Sequence, residues 1–406
     1  MRIVLLATNI AYYLSIVFGF LAILASLYSL CLGANFDRKS SFSILKHKPD
    51  YHPRVCLIMP CRGNELGLET NIEAALQQAY DKYHMAIVTD SVDDPAYHIA
   101  KSELTRHSRV DCKLYTTKIS TSTSGKVAAL LTALDQEQGN AEVFAFIDSD
   151  ALIPSTWLEK LVADLEDDSV GATTGFRWYF PAGGGVWSYI QTAWNASGTN
   201  LLFNDRYNFP WGGAMAIRAE TLEKIHIRQV WADAISDDLA LNCALRKYGY
   251  KISFLPQCTV STFSHTDRDS FLSWAIRQTA LTRVYNRRLW NYALTAYAFL
   301  DVASILGVIL LVLGITTASA WLIPAVPLLT PSAFGIVRSV QRNSTFRRAM
   351  PDFDQEFRRT RVKEAIASLI VPWIMTYCII KSAATREIDW RGRRYKLAEM
   401  KTVAPP

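Results

Sequence analysis

From Ile3 to Gly33 the chain carries no charged residue, and this run restricts the possible folds more than any other feature. At ~1.5 Å per residue, a helix of that length exceeds the ~30 Å hydrocarbon core of a bilayer, so it can span with tilt or extend into an interface. A secretory signal is the alternative, but the run is far longer than an apolar signal core and shows no small-residue cleavage site before Asp37. The expectation is an anchor over residues 1–36 that stays on the protein.

A second apolar block, Leu289 to Val337, contains one charge, Asp301. It is long enough for two helices turning near Thr316 to Ala320, a transmembrane hairpin over 287–340. A basic juxtamembrane loop follows over 341–364. A third block, Ala365 to Ile380, is short and contains Pro372, so residues 365–384 read as a thin crossing or a re-entrant helix, before a basic tail over 385–406. Only Arg2 precedes the first run, whereas Arg38, Lys39, Lys46, Lys48 and Arg54 follow it, which places the middle of the chain in the cytoplasm. A full third crossing would put Arg391, Arg393, Arg394 and Lys396 outside, against that rule, so the re-entrant reading is preferred.

The seven cysteines form no CxxC pair, in keeping with a reduced compartment. The net charge of +6 is concentrated beside the membrane blocks, so anionic lipid headgroups explain it better than nucleic acid, for which no motif is present. Nothing in the sequence sets an oligomeric state.

Residues 50–286 alternate strand and helix. Val55 to Pro60, Met85 to Asp90 and Val143 to Ile147 are apolar runs of strand length, with a short strand near Lys113 to Tyr115. Leu68 to Tyr80, Ala96 to His107 and Lys126 to Gln136 carry helical periodicity. Such alternation predicts a mostly parallel α/β sheet, and no G-x-G-x-x-G follows the first strand, which argues against a dinucleotide fold. Two strand ends present acids, Asp90 to Asp94 and Asp148 to Asp150. An Asp-x-Asp pair at a strand end suits a hard divalent cation holding a diphosphate, although Asp and Ser also end strands as turn formers. Beyond a Gly183 to Gly185 break, Val186 to Phe203 reads as a core or interfacial helix. Trp211, Gly212 and Gly213 form a turn into a strand ending at Arg218. Ser236 or Asp237 can cap the next helix, which leaves Asp238 as the acid beyond what capping requires.

The order Val92-Asp93-Asp94-Pro95-Ala96, Lys126, Asp148-Ser149-Asp150, Gly212-Gly213, Asp237-Asp238, Arg277-Gln278 and Trp390-Arg391-Gly392-Arg393-Arg394-Tyr395 resembles the ceramide glucosyltransferase family and its bacterial glycolipid and hopanoid relatives. The resemblance runs from the anchor to the tail and implies a GT-A type nucleotide-diphosphosugar transferase that inverts the sugar. It implies that Asp90, Asp93 or Asp94, with Asp94 ranked first, contacts uridine. Pro60, Arg62, Lys126, Gln278 and Arg283 would join the donor side. Asp148 and Asp150 would hold Mg²⁺ or Mn²⁺, and Asp238, with Asp237 and Arg277 beside it, would carry the catalysis. Trp211, Gly212, Gly213 and Trp274 would line the acceptor side. The family's Gln/Arg-x-x-Arg-Trp motif is incomplete: Gln278 stands where its Trp is expected, and Trp274 is a possible substitute.

Chemistry supports these roles independently of the resemblance. An oxocarbenium-like state that expels a charged diphosphate needs cations, Lys126 or Arg277 among them, and a carboxylate opposite activates the attacking alcohol. The expected partners are a UDP-sugar and a membrane lipid acceptor such as ceramide or diacylglycerol, glucose being the first choice of sugar. A processive polysaccharide synthase would call for more spans and an intact motif, and a hopanoid-directed enzyme is a close variant. A transporter would need more intramembrane polar residues than Asp301. The tail arginines suit either a donor diphosphate or lipid phosphates.

Overall fold

A computed structural model describes residues 2–45, 51–107, 110–117 and 123–397; Lys46 and Lys48 lie outside them. The chain begins with α1 (Arg2–Leu45) and then alternates β1 (Val55–Pro60), α2 (Leu68–Leu76), β2 (Tyr83–Thr89), α3 (Pro95–Arg106), β3 (Cys112–Thr116), α4 (Gly125–Gln136), β4 (Val143–Ile147) and α5 (Trp157–Val162). The second half adds β5 (Val170–Thr174), β6 (Arg177–Pro181), α6 (Val186–Ser197), β7 (Ala214–Arg218), α7 (Ala219–Lys224), α8 (Ile227–Trp231), α9 (Asp237–Lys247), β8 (Lys251–Phe254) and β9 (Val260–Ser264). Helices α10 (Arg268–Tyr285), α11 (Arg287–Thr316), α12 (Leu322–Ala349), α13 (Asp354–Ala367) and α14 (Val371–Ala384) lead to a final hairpin, β10 (Glu387–Trp390) and β11 (Arg393–Lys396).

Seven strands form one sheet in the order β3-β2-β1-β4-β7-β5-β8. Only β7 runs antiparallel to its neighbours, and β6 and β9 pair in parallel beside the sheet. The apolar runs of β1, β2 and β4 are unbroken because both faces are covered. Cys56, Ile58, Ala86, Val88, Phe144 and Phe146 point to one side, into a core shared with α4 and α9. Leu57, Met59, Ile87, Ala145 and Ile147 point to the other, against α2 and Trp157 of α5. The parallel strands therefore end together, and their acids meet along one edge. At the opposite edge Cys56, His84 and Glu137 approach one another. Glu137 is already saturated there, accepting from Tyr115 Oη at 2.6 Å and facing His84, Lys113 and Asn140.

Three elements differ from expectation. Residues 341–364, read as a basic loop, are mostly helical, because α12 runs on to Ala349 and α13 covers Asp354–Ala367, with Phe346 and Phe357 packed on Trp178. The helix read over Leu68–Tyr80 stops at Leu76, because Tyr80 turns inward and its hydroxyl donates to the Pro53 carbonyl at 2.6 Å. The first apolar helix continues well past residue 36, to Leu45. Its last turns are packed: Phe36 lies against Phe203, Phe254 and Phe346, fixing α1 to the sheet domain.

Among the described residues three helices are long and apolar enough to cross a membrane, within Leu6–Ile44, Arg287–Thr316 and Leu322–Ala349. A fourth candidate is the pair Pro351–Ala367 and Val371–Ala384, bent by 67°. Helix α1 lies along α12, where Gly19 leaves room for Pro327 and Ser26 Oγ stands 3.4 Å from Thr330 Oγ1. Helix α6 packs through Ile190, Ala193 and Trp194 on α10 and α14 and is a core helix.

Candidate active site

The strand-end acids form one connected ionic cluster. Asp148 and Asp150, just past β4, both face Arg177 at the start of β6, whose Nη2 donates to Asp148 at 2.6 Å and Nη1 to Asp150 at 2.7 Å. The guanidinium is buried and lies over the Trp211 ring at 4.4 Å and the Tyr179 ring at 5.5 Å. On the other side, Lys126 Nζ stands 2.7 Å from Asp148 and 3.1 Å from Asp237. Burial alone would raise the Asp148 pKa, but Lys126 and Arg177 outweigh it and hold the group down at about 2. Asp237 goes the other way: burial lifts it to about 6 against the pull of Lys126, with Asp238 and Asp148 adding to the rise.

Gly212 and Gly213 permit this density of charge. A Cβ on Gly213 would lie 2.5 Å from Asp148 Oδ2, and one on Gly212 would strike the Asp237 carboxylate and come within 3.0 Å of Lys126 Nζ. Only glycine lets the backbone come this close to the cluster.

Ser236 is the cap of α9, accepting from the Leu239 amide. Asp237 therefore does not cap and is committed to Lys126. Asp238 is partly exposed. Its Oδ1 accepts from the Leu239 amide at 2.7 Å and from the Ser236 hydroxyl, while among the described residues its Oδ2 has only a long contact, 3.4 Å, from the Gly212 amide. One carboxylate oxygen is thus anchored and the other is nearly free.

Of the three acids after β2, Asp90 faces the crevice, 3.0 Å from Arg62 and 2.8 Å from Arg393. Asp94 caps α3, accepting from the amides of Ala96 at 2.9 Å and Gly63 at 2.8 Å. Asp93 is exposed. Pro60 ends β1 and sets the start of the Arg62 loop. Trp274 packs on Tyr179 and Trp194, joining α10 to the wall around Arg177. Arg277 turns to the tail, over Trp390 at 5.2 Å, with Gln278 partly buried beside it. Arg283 does not reach the acids; it donates to the carbonyls of Ala383 and Thr385 at 2.6 and 2.7 Å.

Sequence reasoning missed Arg177 and Glu65. Glu65 accepts from the Ser149 hydroxyl and pairs with Arg391, and burial raises its pKa, against the pull of Arg391. Its place in the loop after β1, at the edge where such sheets bind ligands, was the available signal. For Arg177 the signal was a lone charge opening an aromatic strand.

A family model described as "Glycosyl transferase family 21" matches residues 15–403. Among solved structures, the chain is similar to a mannosyltransferase, PcManGT, from Pyrobaculum calidifontis, in complex with GDP-Man and Mn²⁺. The two are 17% identical, with 89% of this chain and 99% of that one covered at a TM-score of 0.44. It is also similar to GalNAc-T7 with UDP, GalNAc and Mn²⁺, 12% identical, with 61% and 51% covered at a TM-score of 0.42.

Proposed function

We propose that this chain, which belongs to glycosyl transferase family 21, transfers a hexose, glucose from UDP-glucose foremost, with inversion to the hydroxyl of a membrane lipid such as ceramide or diacylglycerol. The observation that carries this reading is the closeness of the free carboxylate to the membrane helices. The backbone amide of Ser236, two residues before Asp238, meets the hydroxyl of Tyr285 at 3.5 Å, and Tyr285 is the last residue of α10 before α11 begins at Arg287. A lipid hydroxyl presented at the root of α11 needs little travel to reach Asp238.

In this reading the sugar donor lies along the strand ends, with its uridine toward Asp90 and its diphosphate toward Asp148 and Asp150. Those two carboxylates suit a hard cation, because Asp150 Oδ1 is buried with no hydrogen-bond partner among the described residues. Mg²⁺ or Mn²⁺ held by Asp148 and Asp150 would supply positive charge to the departing diphosphate. Lys126, clamped between Asp148 and Asp237, keeps its proton and adds fixed positive charge beside the leaving group. Asp238 Oδ2 takes the proton of the acceptor hydroxyl as that oxygen attacks the anomeric carbon from the face opposite the diphosphate, which inverts the centre. Purified full-length protein supplied with UDP-glucose and ceramide or diacylglycerol is expected to release UDP and form a single β-linked glycolipid. Formation of a polymer, or of an α-linked product, would overturn the reading.

The same reading places the catalytic domain in the cytoplasm and α13–α14 as a re-entrant pair. Support comes from both ends of the pair: Phe353, at its start, stacks on Phe180 of the catalytic domain, and the Ala383 carbonyl, at its end, is held by Arg283. A reporter fused to the C-terminus is expected to be active only in the cytoplasm. Activity on the far side would sink the re-entrant assignment.

A further inference from the structure

The tail hairpin is docked on the crevice. Ile388 and Leu397 are buried in the core that carries β1 and α4, with Trp390 and Tyr395 packed against it. Its base is pinned by Arg283 on the carbonyls of Ala383 and Thr385, and its first strand by Arg277, over Trp390 and 3.4 Å from the Asp389 carbonyl. The Gly125 amide, at the start of α4, donates to Tyr395 Oη at 3.3 Å.

The turn of this hairpin is made by Arg391 and Gly392, both at positive φ, 52° and 73°. Two-residue turns of this kind favour Asn-Gly or Gly-Gly, so an arginine in the first place is held against backbone preference. That arginine reaches Glu65. Two residues on, Arg393 reaches Asp90 at 2.8 Å and lies so close to Gly125 that a Cβ there would strike its guanidinium. Arg394, the next residue along β11 and in register with Asp389, is exposed. The two guanidinium groups stand beside the acids that follow β1 and β2, Glu65 and Asp90, between the nucleoside and diphosphate ends of the crevice proposed above.

We infer that Arg391 and Arg393 bind the diphosphate of the nucleotide sugar, and that the β10–β11 hairpin is the strap that presents them. In the free protein each is paired with a crevice carboxylate, and the diphosphate replaces that carboxylate with a stronger bidentate partner. The inference rests on the donor reading of the crevice, and its source of phosphate is the donor rather than lipid headgroups.

The test titrates UDP, uridine and inorganic pyrophosphate into full-length protein in neutral-lipid nanodiscs. It compares wild type with Arg391→Ala, Arg393→Ala, Arg393→Lys and Arg394→Ala. A charged hydrogen bond is worth about 1.5–3 kcal/mol, so each Ala variant at 391 or 393 should bind UDP and pyrophosphate roughly tenfold to a hundredfold more weakly. Uridine binding should not change, Arg393→Lys should recover part of the loss, and Arg394→Ala should match wild type. Unchanged pyrophosphate binding in both Ala variants would overturn the inference, as would equal losses of UDP and uridine, which mark a merely structural hairpin. An effect that appears only when phosphatidylglycerol is added to the discs would assign the arginines to lipid phosphate instead. Should wild type bind pyrophosphate but not UDP, the choice of uridine nucleotide fails while the pyrophosphate arm still decides the strap.

Discussion

Asp238→Asn is expected to abolish transfer, with turnover falling by at least the ~10²- to 10⁴-fold that a general base contributes, while UDP binding stays near wild type. The contrast follows from how the two adjacent acids are used. Asp237 is enclosed and paired with Lys126 at 3.1 Å, so its carboxylate belongs to the ionic cluster that Lys126 forms with Asp148. Among the described residues Asp238 makes no ion pair there: its Oδ1 accepts from the Leu239 amide, and its Oδ2 has only the long Gly212 contact. Asparagine keeps an oxygen for the helix amide, and Ser236 remains as the cap, so α9 should start as before. A carboxamide cannot accept the acceptor proton. Asp237→Asn should instead weaken donor binding, because Lys126 loses one of its two partners. Turnover by Asp238→Asn within tenfold of wild type, measured as UDP release with lipid acceptor present, would reject the base assignment, and the more so if Asp237→Asn were inactive.

How much of this was legible in the sequence depended on whether the determining contacts were local. Strands β1, β2 and β4 were readable because burial on both faces makes each an unbroken apolar run, and their alternation with helices gave the mostly parallel GT-A sheet. The membrane-length helices were readable for the same kind of reason, since lack of charge over a long run has few other outcomes. Strands β5, β6, β8 and β9 were not read: they are four or five residues long, β5, β8 and β9 include Thr, Ser or Gly positions and β6 opens on a charge, so their pairing is set by partners distant in sequence. Helix α6 read as a core helix slightly ahead of an interfacial one, and its neighbours α10 and α14 bury it. In the site, Asp148, Asp150 and the Asp237–Asp238 pair announced themselves as acids at element ends. Arg177 was hidden within an aromatic strand, and its role depends on a fold that returns β6 to the end of β4. The tail arginines could be seen as basic but not located, because their partners Glu65 and Asp90 lie some three hundred residues earlier.

Arg177→Met should give the second large effect, first on stability. The guanidinium holds two carboxylates at once and is itself buried between Trp211 and Tyr179. Methionine preserves most of the apolar stem and removes the charge. Breaking a buried pair by deleting one partner costs about 3–5 kcal/mol, because the remaining charge stays buried without compensation. Asp148 retains Lys126 after the change, at 2.7 Å, so Asp150 bears most of the penalty. In buffer containing EDTA the variant should melt several degrees below wild type. A divalent cation offers the same two carboxylates an alternative counter-charge, and in the variant it no longer competes with an internal guanidinium. Saturating Mn²⁺ should therefore raise the variant's Tm more than that of wild type and recover much of the difference, since a ligand at a hundred times its Kd stabilises by about 2.7 kcal/mol. Equal Mn²⁺ shifts in the two proteins would show that Arg177 and the cation do not share Asp148 and Asp150, and would move the metal away from this pair. If the expected result holds, Arg177 keeps the acids paired and ordered in the absence of donor, and cation binding at Asp148 and Asp150 is measured against that internal competitor.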